Sequence, residues 1–139
     1  MAIARTIAHT CIGVSDLDRA LAFYRDGLGL EVAGRSDLPQ GTVLVLLRCP
    51  QGGDELIELA YRPDNRSPVS DGGPGAVPSP AVGQRHVAFY VDDVRAAVAA
   101  LETAGCAITR RPPPSGQGGS LIAFVKDPDG TDVELMEHR

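Results

Sequence analysis

The sequence predicts an α+β fold made of two tandem modules, each a strand, a helix and three further strands. Three observations predict it. HTCIGVSDLDRALAFY, starting at His9, realigns with HVAFYVDDVRAAVAAL, starting at His86, at an offset of 77 residues. At that offset Leu17, Ala20, Leu21 and Tyr24 meet Val94, Ala97, Val98 and Leu101, and their i, i+3, i+4, i+7 spacing is the apolar stripe of an amphipathic helix. ELIELA and DVELME recur in the same order, setting Glu58 against Glu134. A His, a helical stripe and a Glu repeating together mark an internal duplication.

Taken in order, Ile7–Val14 reads as a strand. Ser15 is a good N-cap, with Asp18 where a capping box wants an acidic or amide side chain. The helix runs to about Gly27, and Gly29 helps to stop it. Leu30–Gly34, Val43–Arg48 and Glu55–Tyr61 follow as strands, broken at Pro39–Gly41 and Pro50–Gly53. In the second half His86–Val91 is a strand and Val94–Thr103 a helix ended by Gly105. Ala107–Arg110, Leu121–Lys126 and Thr131–Glu137 are strands. Asp127-Pro128-Asp129-Gly130 suits a type I turn. Residues 62–85, dense in Pro and Gly without apolar periodicity, read as a linker. The cluster from Pro112 to Gly119 reads either as a long hairpin loop or as a mobile flap over a site. The expectation is one domain over 1–139, with modules at 5–61 and 86–137.

At 139 residues and 43% hydrophobic, the chain has globular proportions. Acidic residues outnumber basic ones 18 to 13, giving −5, which disfavours a phosphate backbone as partner. Aromatics at 4% and no Trp argue against base-stacking surfaces. No apolar run approaches the ~20 residues of a membrane span, and the N-terminus lacks the apolar region of a secretory signal. Cys11, Cys49 and Cys106 are odd in number with no CxxC, so a reducing cytoplasm is the expected compartment. Their plain reading, above all for Cys49 and Cys106, is as small buried hydrophobes. Exposed sheet edges and the small chain point to a homodimer.

Strand alternation places the chemistry. His9 shares a face with Ile7 and Cys11, and Glu58 with Leu56 and Ala60. His86 shares one with Ala88 and Tyr90, and Glu134 opposes the face of Val133 and Leu135. The opposite faces are mostly apolar and would pack on the helices, leaving His9, Glu58, His86 and Glu134 to line a concave surface. Taken singly, a strand His is more often a hydrogen-bonded core or edge residue, and a strand Glu a solvated one. As a repeat-related set they match the imidazole and carboxylate ligands of Zn, Ni, Mn, Co or Fe(II). A carboxylate in apolar surroundings is costly unless paired or metal-bound.

HTCIGVSDLDRALAFYRDGLGLEV, ELIELAY, RHVAFYVDDVRAAVAALETAG and IAFVKDPDGTDVELME resemble the vicinal oxygen chelate superfamily, which includes glyoxalase I, methylmalonyl-CoA epimerase, extradiol dioxygenases and antibiotic (bleomycin) resistance proteins. The motifs are most similar to those of glyoxalase I. The resemblance covers nearly the whole chain outside the linker. It implies paired βαβββ modules closing into a cup with helices outside and a divalent metal at its base. It puts the family's four metal ligands on His9, Glu58, His86 and Glu134. It also implies departures. Gly13 stands where the family has an Arg, Arg62 where it has an Asn, and Gln117 nearest to a family Lys. Those family residues hold glutathione, so the expected substrate is not glutathione-specific, with Arg62 and Gln117 as its candidate contacts.

The leading functional expectation is a metal-dependent lyase or isomerase. The ion would bind two vicinal oxygens of a small substrate and stabilise an enediolate formed by proton removal next to a carbonyl. Glu134 or Glu58 would act as base, or both would stay ligands and water would serve. An Fe(II) extradiol-type dioxygenase is the first alternative, and Glu58 counts against it by filling a coordination position. A non-catalytic small-molecule or antibiotic binder is the second, disfavoured by the complete donor set and the few aromatics.

Overall fold

The computed structural model describes residues 7–64, 86–115 and 121–137. The chain divides into two compact units, Met1–Ser67 and Pro68–Arg139. Most of the predicted linker (65–85) and the loop residues 116–120 lie outside the described residues.

The first unit begins with β1 (His9–Val14), in which Ile12 and Val14 are buried while His9, Cys11 and Gly13 are exposed. Helix α1 (Leu17–Leu21) follows, then a π-helical turn over Ala22–Gly27. Strands β2 (Glu31–Asp37), β3 (Val43–Arg48) and β4 (Leu56–Tyr61) complete it. The order across the sheet is β1-β4-β3-β2, with β1 and β4 parallel and the other pairs antiparallel. The helical segment supplies Ala20, Phe23 and Tyr24 to the core, and the sheet supplies Ile12, Val14, Val45, Leu47 and Leu59.

The second unit repeats this plan. Strand β5 (Val87–Val91) leads into helix α2 (Val94–Thr103), followed by β6 (Ile108–Arg110), β7 (Ile122–Lys126) and β8 (Asp132–Glu137). The order is β5-β8-β7-β6, again with the outer pair β5 and β8 parallel. Val94, Val98 and Leu101 of α2 are buried, as the apolar stripe requires, and α2 packs on β7 and β8. Burying each such side chain contributes about 1.5–3 kcal/mol, and truncating Leu101 to Ala costs about 2–5 kcal/mol.

Three local expectations are corrected. Asp16, not Ser15, caps α1, its carboxylate accepting the Arg19 N–H at 3.0 Å. Asp93 caps α2 in the same way through the Ala96 N–H at 2.9 Å. An aspartate accepts this bond as well as a serine does, and its charge complements the helix N-terminus. The first helix is α-helical only to Leu21. Beyond it the wider π turn brings two consecutive rings, Phe23 and Tyr24, into the core edge-to-face at 4.9 Å. Gly29, at φ +79°, then ends the segment. Strand β2 runs on to Asp37 where apolar patterning ends at Gly34. It is an exposed edge held by its ladder to β3, a bulge at Ala33, and Arg48–Glu31 (3.0 Å) and Arg35–Asp37 (2.9 Å) ion pairs.

The Asp127–Gly130 turn forms as expected. Gly130 N–H reaches the Asp127 carbonyl at 3.0 Å, and the Asp127 carboxylate accepts the Asp129 and Thr131 N–H groups at 2.9 and 2.8 Å. The turn fixes the β7–β8 register and so decides what stands beside Glu134. The cysteines are free thiols, but Cys49 and Cys106 are half-buried instead of core residues and Cys11 is exposed.

Candidate functional site

Each unit brings one imidazole to one carboxylate. In the first, His9 opens β1 and Glu58 sits in the middle of β4. Because these strands are parallel, Glu58 stands level with Cys11, two residues beyond His9 on the same face. The Nε2–Oε2 separation is 3.9 Å. On its other side Glu58 faces Leu46 of β3, which pairs in turn with Gly34 of β2. The row across the sheet is therefore Gly34, Leu46, Glu58, Cys11. The Cys11 thiol hydrogen-bonds the Glu58 carboxylate. Its own pKa is raised, first by partial desolvation and then by that carboxylate, with Arg62 opposing.

In the second unit His86 immediately precedes β5, and Glu134 lies in the middle of β8. Their Nε2–Oε2 separation is 3.1 Å. Glu134 is flanked by Ala88 of β5 and Phe124 of β7, and Phe124 pairs with Arg110 of β6. The row is Arg110, Phe124, Glu134, Ala88. The Phe124 ring meets the His86 ring edge-on, with centroids 5.6 Å apart, which fixes the imidazole plane.

In both pairs the carboxylate is the more buried partner, with side-chain exposures of 17% for Glu58 and 14% for Glu134 against 43% and 34% for His9 and His86. A carboxylate so far withdrawn from water needs a cation or donors nearby. Two nitrogen or oxygen donors at 2.0–2.2 Å on one divalent ion lie roughly 3.0–3.5 Å apart, so the second pair already has a chelating separation and the first stands slightly open. The donor chemistry fits Zn, Ni, Mn, Co or Fe(II). Within either unit, among the described residues, no group of three or more His, Cys, Asp or Glu side chains is gathered for a metal. Each unit thus offers two donors.

Arg62, four residues after Glu58, is exposed and lines a cavity of about 640 Å³ with Leu38, Pro39, Thr42 and Asp64. Gln117 lies outside the described residues. Gly13 is exposed, and a Cβ there would meet nothing within 4 Å. Sequence reasoning passed over two neighbours of the carboxylates, Cys11 and Phe124. Phe124 was readable from the hairpin, since a tight turn at Asp127–Gly130 sets it opposite Glu134. Cys11 was not, because its partner depends on a parallel pairing between strands far apart in the chain.

Comparison with known proteins agrees with this frame. The sequence profile of the Glyoxalase/Bleomycin resistance protein/Dioxygenase superfamily matches residues 6–135. The chain belongs to this superfamily. It is 33% identical to the lactoylglutathione lyase of Haemophilus influenzae, over 96% of this chain and 93% of that protein. It is 33% identical to the trypanothione-dependent glyoxalase I of Leishmania major, with a TM-score of 0.73 over 96% of this chain and 87% of that one. The antibiotic-binding protein TnmS3 from Streptomyces sp. CB03234 shares the fold, with a TM-score of 0.68, 21% identity and full coverage of both chains.

Proposed function

We propose that this superfamily member is a divalent-metal-dependent lyase or isomerase of the glyoxalase I type that acts on a small substrate with vicinal oxygens and is not glutathione-specific. The observation that carries the reading is the repeated imidazole–carboxylate pair, His9 with Glu58 and His86 with Glu134, at 3.9 and 3.1 Å at equivalent places in the two units. Relatives named lactoylglutathione lyase support the reaction class. His9, Glu58, His86 and Glu134 would hold the ion, which supplies Lewis acidity toward two adjacent substrate oxygens when bound.

The remaining work falls to the chain. Glu134 takes the proton from the carbon beside the carbonyl and returns it to the neighbouring one. Its cross-strand neighbours Ala88 and Phe124 offer no hydrogen-bond donor from their side chains, and the carboxylate is engaged by His86 at 3.1 Å. Glu58 differs, because Cys11 holds it by a hydrogen bond. Phe124 braces His86, edge to face with centroids 5.6 Å apart. Gly13 presents no group to a glutathione carboxylate, and Arg62 puts a cation just past the end of the strand that carries Glu58, for a different one.

The test is to load the protein with each metal and assay the methylglyoxal adduct of glutathione beside adducts of other thiols. Metal-dependent turnover is expected, with the glutathione adduct falling below the ~10⁴ M⁻¹s⁻¹ of an ordinary efficient enzyme. Absence of turnover on every adduct, or efficient turnover on glutathione, overturns the respective half of the reading. Three free thiols fit a reducing cytoplasm. Exposed sheet edges fit a homodimer, checked by sedimentation giving twice the 14.6 kDa chain mass.

A further inference from the structure

Each unit places a cation diagonally across from its metal carboxylate and gives that cation a second carboxylate. In the second unit Phe124 of β7 stands opposite Glu134 of β8, and Lys126, the next residue on the same face, stands opposite Asp132. Lys126, Asp132, Phe124 and Glu134 therefore project from one side of the sheet. In the first unit Leu46 of β3 stands opposite Glu58, and Arg48 ends that strand on the same face. Arg48 is thus the counterpart of Lys126. A diagonal neighbour lies about 7–8 Å away, a span that a long cationic side chain crosses.

Each cation is engaged elsewhere. Arg48 pairs with Glu31 of β2 at 3.0 Å, and Lys126 with Asp132 at 2.5 Å. The two pairs differ in their surroundings. Side-chain exposures are 58% and 51% for Arg48 and Glu31, but 13% and 25% for Lys126 and Asp132. Asp132 Oδ1 is shut off from water and accepts no aligned hydrogen bond among the described residues, so the ammonium is what neutralises it. An exposed pair contributes little, because water serves either ion. A largely buried ammonium lacks that recourse and needs an anion. Of the carboxylates on β8, Asp132 and Glu134 share its face, and Glu137 lies on the other.

We infer that Asp132 is a positioning residue for the metal site: it occupies Lys126 and so keeps the ammonium off Glu134. The inference rests on the reading of Glu134 as a metal ligand. An ammonium and a divalent ion compete for one carboxylate, so a sheet that sets Lys126 within reach of Glu134 must give the lysine another anion. Asp132 does so from directly across the ladder, the shorter of the two reaches. The same contact keeps Asp132 from joining His86 and Glu134 as a third donor, in accord with the two donors gathered in this unit among the described residues.

Chelator competition with zinc at fixed pH tests it, with circular dichroism confirming that each variant is folded. Asp132→Asn should weaken zinc binding by at least ~10-fold, the weight of one charge-assisted contact made to Glu134 by the released lysine. Lys126→Met/Asp132→Asn, in which no ammonium remains, should return to within ~2-fold of wild type. Glu31→Gln removes the same charge from the exposed pair of the first unit and should change affinity by less than ~2-fold. Unchanged affinity in Asp132→Asn, a double variant as weak as the single one, or an equal fall in Glu31→Gln overturns the inference. A crystal structure of metal-free Asp132→Asn reads the contact itself. Lys126 Nζ is expected within hydrogen-bond distance of the Glu134 carboxylate, and a lysine turned to solvent overturns the inference. A wild-type protein that takes up no zinc overturns the metal reading instead, and the position of Lys126 in that crystal structure then judges the role of Asp132 by itself.

Discussion

Substituting Glu134 by Gln should weaken metal binding more than the equivalent change at Glu58. Both variants lose a carboxylate donor and its charge. Even indirect partners of a bound metal cost about 10–100-fold in affinity when removed, so a direct ligand should cost at least that. The two sites differ in readiness. His86 and Glu134 stand 3.1 Å apart, within the roughly 3.0–3.5 Å that a shared ion demands. His9 and Glu58 stand 3.9 Å apart, and Glu58 is also engaged by Cys11. Closing that pair requires reordering a side chain, at about 0.5–1.5 kcal/mol. Glu58→Gln forfeits a ligand but also removes that cost, whereas Glu134→Gln recovers nothing. The loss at Glu134 should therefore be larger by about 2–12-fold.

The assay is competition against a chromogenic chelator at fixed pH, with circular dichroism confirming that each variant is folded. Wild-type affinity in both variants refutes the ligand assignment. A greater loss in Glu58→Gln refutes the argument from preorganisation and leaves the assignment standing.

Gly13→Arg should fold normally, since nothing lies within 4 Å of an added Cβ, and should raise kcat/KM for the glutathione adduct by roughly 10-fold or more relative to wild type. Leu59→Ala and Leu135→Ala, at equivalent positions with no exposed surface, should each lower stability by about 2–5 kcal/mol in urea unfolding. Asp93→Ala should cost about 1 kcal/mol by removing the α2 cap, with Asp93→Ser restoring most of it. Burial raises the Cys49 and Cys106 thiols above their ordinary value of 9.0, so less thiolate is present at neutral pH. Iodoacetamide should label both more slowly at pH 7.5 in the folded protein than in guanidinium, with the folded rate climbing only as pH passes 9.

Much of this was legible in the sequence because burial wrote it there. The helix Val94–Thr103 and the strand Val43–Arg48 were readable to the residue, since each buries a regular stripe and ends at strong breakers. The edge strand β2 was not, because its ladder and ion pairs hold it without an apolar period. The π turn escaped because a helical stripe assumes 3.6 residues per turn, whereas Phe23 and Tyr24 are both buried. The cap on α1 was misplaced, although the 77-residue offset of the repeat sets Asp16 against Asp93. The two imidazole–carboxylate pairs were legible through the duplication. Their unequal surroundings were not, because Cys11 reaches Glu58 only through a parallel pairing.

That inequality bears most directly on function. Two identical half-sites would give an ion four equivalent protein donors and a substrate no reason to bind one way round. Here the frame is repeated but its flanks are not. One carboxylate stands between Leu46 and a thiol that holds it, the other between Phe124 and Ala88, which do not. One row ends in the absent side chain of Gly34, the other in Arg110. The second unit therefore carries the carboxylate whose cross-strand flanks are both apolar, with His86 as its close partner. A duplicated sheet supplies the donors. The substitutions that break its symmetry give the site a direction, and they are where the substrate of this enzyme should be sought.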